Sequence, residues 1–136
     1  MVAMTQSVYM VDDDASIRTA VRRLLKSAGF SVLTFSSAEE LLQSDFKGKP
    51  GCLLLDIRLP GMSGYELLEQ FLASGMKTPT IVITGHDRAG MEERAMQLGA
   101  CSYLRKPVDE VTLLGAIHRA MSLDQTEEAL CNVSAL

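Results

Sequence analysis

The sequence predicts an α/β fold built around a parallel sheet, and three observations predict it. Five short apolar runs alternate with stretches whose apolar residues recur at helical spacing. Two of those runs, CLLL at 52–55 and TIVI at 80–83, run on in apolar residues without alternating, as strands covered on both faces do. Ser-x-x-Glu pairs and glycines then fall where helices should begin and end.

The strand runs are SVYMV at 7–11, SVLTF at 31–35, CLLLD at 52–56, TIVIT at 80–84 and CSYLR at 101–105, with the third and fourth in the middle of the sheet. Ile17, Val21, Leu24, Leu25 and Ala28 share a face, predicting a helix over 15–28 that stops at Gly29. Ser37 with Glu40 has the spacing of a capping box and opens a helix over 37–45. Ser63 with Glu66 does the same for 64–74, where Leu67, Leu68, Phe71 and Leu72 form the apolar face and Gly75 the stop. A fourth helix is expected over 87–98 before Gly99, and a fifth over 109–121 on Leu113, Leu114, Ile117 and Met121.

A chain of 136 residues, 47% hydrophobic and 22% charged, suits one globular domain, expected over 1–121. Residues 122–136 are too few for a second domain and read as a tail, linker stub or docking segment. No run approaches the roughly 18 apolar residues of a membrane span, and MVAMTQSVYM has neither the basic start nor the long apolar middle of a signal peptide. A cytoplasmic location without membrane contact is the expectation. Cys52, Cys101 and Cys131 are far apart and the only histidines are His86 and His118, which favours reduced thiols over a disulfide framework or zinc site. A formal charge of -4 provides no basic footprint, so this segment is not expected to touch nucleic acid.

In a parallel α/β sheet, functional groups gather at the carboxyl ends of the strands. That edge carries Asp12, Asp13, Asp56, Thr84 and Lys106. Three clustered carboxylates offer hard oxygen ligands suited to Mg²⁺ with its partly hydrated octahedral shell. Balanced by a divalent cation and Lys106, they leave a roughly neutral site in which one carboxylate can act as a nucleophile. A phosphoryl group is the natural electrophile, because its transfer relies on positioning and on cations around its oxygens. The Thr84 hydroxyl would add a hydrogen-bond donor. Pro107 after Lys106 permits a cis bond at modest cost, in a turn that would aim the lysine inward. Asp14, just before the first helical pattern, reads as a cap.

Taken singly, each residue has a plain alternative: a strand-ending turn for Asp56, a β-branched strand end for Thr84, an exposed lysine for Lys106. Together the stretches VDDD, LLLDIRLPGMSGYELL, PTIVITGHD and GACSYLRKP, in that order, resemble the receiver domain of two-component response regulators, within it the FixJ-like branch, over about residues 5–121. The resemblance implies a doubly wound, flavodoxin-like fold of five parallel strands in order 2-1-3-4-5 with five helices. It implies that Asp56 takes a phosphoryl group from a sensor histidine kinase, and that Asp13 binds Mg²⁺ directly and Asp12 through water. The Arg58 main-chain carbonyl would complete the protein ligands. Thr84 and Lys106 would contact the phosphoryl oxygens, the Lys106-Pro107 bond would be cis, and Tyr103 would turn inward with Thr84 on activation. Arg58 and His86, two residues beyond Asp56 and Thr84, would tune the lifetime of the aspartyl phosphate.

Gly90 stands where this branch usually has a proline, which predicts a mobile 86–91 segment. The output would be a shift of the 84–106 face, presented to a partner, to a second copy in a homodimer, or to an attached DNA-binding domain. The abrupt end after NVSAL favours an amino-terminal piece of a transcription factor over a single-domain regulator. Catalysis beyond self-phosphorylation and dephosphorylation is not expected. Asp12-x-Asp14 after the first strand also permits an aspartate-nucleophile phosphatase, although the fourth and fifth runs end in Thr84 and Arg105-Lys106 rather than in metal-binding acids. A receiver used purely for interaction is a third reading, opposed by the complete set Asp12, Asp13, Asp56, Thr84 and Lys106.

Overall fold

The computed structural model describes residues 6–45 and 50–134, with side chains as far as residue 122. Five strands, β1 (Ser7–Val11), β2 (Ser31–Phe35), β3 (Cys52–Leu55), β4 (Thr80–Thr84) and β5 (Ser102–Arg105), alternate with α1 (Ala15–Ser27), α2 (Ala38–Gln43), α3 (Gly64–Ser74), α4 (Met91–Gln97) and α5 (Glu110–Ser134). All neighbouring strands are parallel, in the order β2-β1-β3-β4-β5.

The period of two along each strand divides the core. Val11, Leu53, Leu55 and Val82 face one way, against Leu41, Leu67, Phe71 and Ala95 of α2, α3 and α4. Val8, Met10, Leu54, Ile81 and Ile83 face the other way, against Leu25 of α1 and Leu113 and Ile117 of α5. With β3 and β4 buried at every position, the only outlet for their polar groups is the strand end.

The helix punctuation is realised locally. Asp14 accepts hydrogen bonds from the Ser16 and Ile17 amides at 2.9 and 3.4 Å, capping α1. Ser37 and Ser63 accept from the Glu40 and Glu66 amides, although the Glu40 carboxylate reaches back to Ser36 rather than to Ser37. Gly75 closes α3 in the left-handed region at φ +74°. Gly64 lets α3 begin hard against β3: a Cβ there would lie 2.5 Å from the Asp56 carbonyl oxygen and 2.8 Å from the Ile57 Cα.

Two helix ends lie more than two residues from expectation. The fourth helix starts at Met91 instead of 87, because Gly90 sits at φ +87°, outside helical space, and becomes the N-cap. The fifth does not end at 121 but continues to Ser134, since SLDQTEEALC contains good helix formers and no glycine or proline to stop it. The segment expected to be a tail or linker stub is therefore helical backbone through Ser134; residues 135 and 136, like residues 1–5 of the expected domain, lie outside the described residues. The second helix is shorter than its expected span of 37–45, and the third and fifth strands each lose one terminal residue.

Cys52 and Cys101 are free thiols whose pKa values burial pushes up, which disfavours the nucleophilic thiolate. Cys131 lies outside the described side chains. No helix among the described residues is long and apolar enough to cross a membrane.

Two outcomes follow from the helix termini. Asp14→Ala should lower stability by about 1 kcal/mol in urea unfolding, as the loss of an N-cap does. Residues 86–90 are exposed and α4 has no side-chain cap, so amide exchange at 86–91 should be far faster than in the middle of α1; equal protection would contradict this.

Candidate phosphoacceptor site

The carboxyl ends of β1 and β3 lie side by side, with Val11 paired to Leu55. The residues that follow each strand, Asp12 and Asp56, are therefore neighbours. Both are nearly inaccessible, at 1% and 6%. The Lys106 ammonium lies 2.8 Å from Asp12 Oδ2 and 3.1 Å from Asp56 Oδ2, bridging the two. Lys106-Pro107 is cis, as the resemblance implied.

Asp12 is fixed at several points. Its Oδ1 accepts from the Asp14 amide at 2.9 Å, and its carbonyl accepts from the Arg18 guanidinium at 2.7 Å. Asp56 Oδ1 accepts from the Arg58 amide at 3.2 Å. Burial pushes the Asp56 carboxyl above its usual range, and Lys106 only partly offsets this. Burial also pulls the Lys106 ammonium down, but its bonds to Asp12 and Asp56 outweigh that and raise it overall.

Asp13, unlike its neighbour, is exposed. Oxygens of Asp12, Asp13 and Asp56 nevertheless converge within 4.8 Å of one another. The set is all carboxylate, with one member open to solvent, and suits a hard, partly hydrated cation such as Mg²⁺ better than one preferring nitrogen or sulfur. An open depression of about 460 Å³ surrounds it, lined by Asp12, Asp13, Asp56, Arg58, His86 and Lys106 among others. Five of the predicted acceptor and metal residues thus share one site, and both rim residues, Arg58 and His86, are exposed beside it.

Thr84 and Tyr103 are not on the depression's surface. Thr84 is fully buried behind its wall, and its Oγ accepts from the His86 amide at 3.2 Å, leaving the hydroxyl proton free to be donated. Tyr103 is already inward, 7% exposed. Its hydroxyl donates to Asp87 Oδ1 at 2.6 Å rather than to water. Asp87 Oδ2 accepts from Arg105 Nε at 2.6 Å, and Arg105 Nη2 reaches Glu92 Oε1 at 2.7 Å.

Arg18, Asp87, Arg105 and Glu92 were not singled out in the sequence. Arg105 had a signal, since in a strand it shares a face with Tyr103 and not with Lys106. Asp87 had none, because its partners are 16 and 18 residues away.

The chain belongs to the response regulator receiver domain family, whose model matches residues 8–118. It is the receiver domain of a two-component response regulator. Nodulation protein W of Bradyrhizobium diazoefficiens is 37% identical over 133 residues, covering 95% of this chain and 59% of that protein. The transcriptional regulatory protein FixJ of Azorhizobium caulinodans is 36% identical, covering 84% of this chain and 54% of that protein. The chain therefore spans little more than half the length of these curated relatives. The solved structure of the response regulator StyR superposes with a TM-score of 0.83 at 40% identity, covering 97% of this chain and 67% of that one. The phosphatase alternative is not favoured by this family membership.

Asp87 generates a spectroscopic expectation. Burial, then the hydrogen bond to Asp87, holds the Tyr103 phenol well above its usual range, while that same bond, with Arg105, holds the Asp87 carboxyl down. In alkaline ultraviolet titration Tyr103 should ionise well above the usual tyrosine range, and Asp87→Asn should bring it part of the way back. The sign of the linkage is fixed. Asp87's contribution to stability is present above about pH 4 and is lost as pH falls through its depressed folded value. Tyr103's is present below about pH 10 and is lost as pH rises through its raised one.

Proposed function

We propose that Asp56 is the phosphoacceptor, that a sensor histidine kinase is the donor, and that Mg²⁺ is the cofactor. The observation that carries this reading is the Lys106 ammonium lying between Asp12 and Asp56 beside a third, exposed carboxylate. An Asp56 oxygen attacks the phosphorus of a phosphohistidine; the P–N bond breaks as the P–O bond forms, and the imidazole leaves with the electron pair and takes a proton. The ion would be held by Asp13, by Asp12 through water, by Asp56 and by the Arg58 carbonyl, and would supply positive charge to the phosphoryl oxygens. Lys106 neutralises a further oxygen and Thr84 donates its hydroxyl. Arg58 and His86, at the rim, govern the approach of water and so the lifetime of the acyl phosphate.

The chemistry is self-modification without turnover of a separate substrate. Transfer of charge onto Asp56 biases Thr84, the 85–98 segment and Tyr103, and so the 84–106 face, toward a partner or a second copy of the chain. Because FixJ is described as a transcriptional regulatory protein, the whole protein is proposed to regulate transcription in the cytoplasm through a separate DNA-binding part.

Incubation with a small acyl phosphate and Mg²⁺ should add one phosphoryl group by intact mass. Asp56→Asn should add none, and Asp13→Ala or chelation should abolish the reaction. Phosphate still accepted at residue 56 in Asp56→Asn would overturn the assignment.

A further inference from the structure

The turn between β3 and α3 carries Arg58 and is closed at its base by two hydrogen bonds. The Arg58 amide donates to Asp56 Oδ1, and the Gly64 amide donates to the Ile57 carbonyl at 2.9 Å. Its crest, Gly61-Met62, is tied to something else. Glu39, in the first turn of α2, reaches across to accept from the Met62 amide at 2.9 Å, a contact 23 residues long in sequence. The same carboxylate lies against Gly61, which sits at φ +74°, so closely that a Cβ there would overlap Glu39 Oε2.

This contact is not simply stabilising. Glu39 Oε1 is buried with no hydrogen-bond partner among the described residues, and a carboxylate oxygen withdrawn from water without a partner costs stability.

We propose that Glu39 is a positioning residue for the cation site. By clamping the crest of the 57–63 turn it fixes the orientation of the Arg58 main chain, and hence the one backbone ligand. The inference rests on the Mg²⁺ reading of the carboxylate cluster. The Met62 hydrogen bond also holds the Glu39 carboxyl below its usual range, consistent with an acceptor that stays charged.

The test is a Mg²⁺ titration of the metal-free protein followed by amide NMR shifts, with amide exchange at 58–62 measured before metal is added. Glu39→Ala removes the acceptor and Glu39→Asp keeps the charge but shortens the reach. Both should weaken Mg²⁺ binding roughly tenfold, as loss of an outer-shell support does, and should speed exchange at Met62 in the metal-free protein. Glu39→Gln keeps an acceptor oxygen at the same reach and should bind like wild type. Glu40→Ala removes a bond to Ser36 in the same helix turn and should leave Mg²⁺ affinity unchanged.

Wild-type affinity in both Glu39→Ala and Glu39→Asp overturns the proposal. So does equal weakening by Glu40→Ala, which would mean general loosening of α2, or weakening in Glu39→Gln but not in Glu39→Asp, which would mean charge and not reach. If wild type binds Mg²⁺ and Asp13→Ala does not, these failures leave the cation site standing. If wild type itself binds none, the reading of the site falls and the proposal with it.

Discussion

Two carboxylates buried a few ångströms apart repel one another, and one ammonium group bridges this pair. The Lys106 head reaches both Asp12 and Asp56 with its side chain only 19% exposed. Much of the fold serves that contact. The strand order sets β1 beside β3 but leaves β5 two strands from β3, so the lysine must cross the end of β4. It crosses at Gly85, where even a methyl group would touch its Cδ at 3.5 Å.

A second charged network lies one residue away in sequence and on the opposite face. Tyr103 belongs to the core under α2, α3 and α4, whereas Leu104 packs on the α1 and α5 side. The pleat therefore sends Tyr103 and Arg105 to Asp87, and Lys106 to the carboxylate pair. The Lys106 amide donates to the Thr84 carbonyl at 2.8 Å, so the two networks share a backbone junction. Burial and hydrogen bonding, not sequence distance, separate the carboxylate pair from Tyr103.

What the sequence revealed and what it concealed follow from the range of the interactions. The apolar runs, the serine caps at 37 and 63, the Asp14 cap and the clustering of Asp12, Asp13, Asp56 and Lys106 rest on periodicity, local bonding or strand-end geometry, all of which are written in short stretches. The start of α4 was misplaced because DRAGMEERAM looks helical throughout, while Asp87 is drawn to Tyr103 and Arg105 and Gly90 turns left-handed. The end of α5 lies beyond 121 because the apolar face ends at Met121 while the polar residues after it still favour a helix. Glu39 showed only as an unremarkable first-turn acid, since its partner is brought near by the fold alone.

The close approach at Gly64 gives the site an unequal tolerance to change. Around its mouth, Arg58 and His86 point into open space and can be exchanged without disturbing what lies beneath them. Underneath, the backbone of α3 rests on the backbone of Asp56 and Ile57 with no side chain between to shrink or rotate. The pocket thus has an exchangeable rim over a rigid floor: side chains open to solvent above, main chain against main chain below.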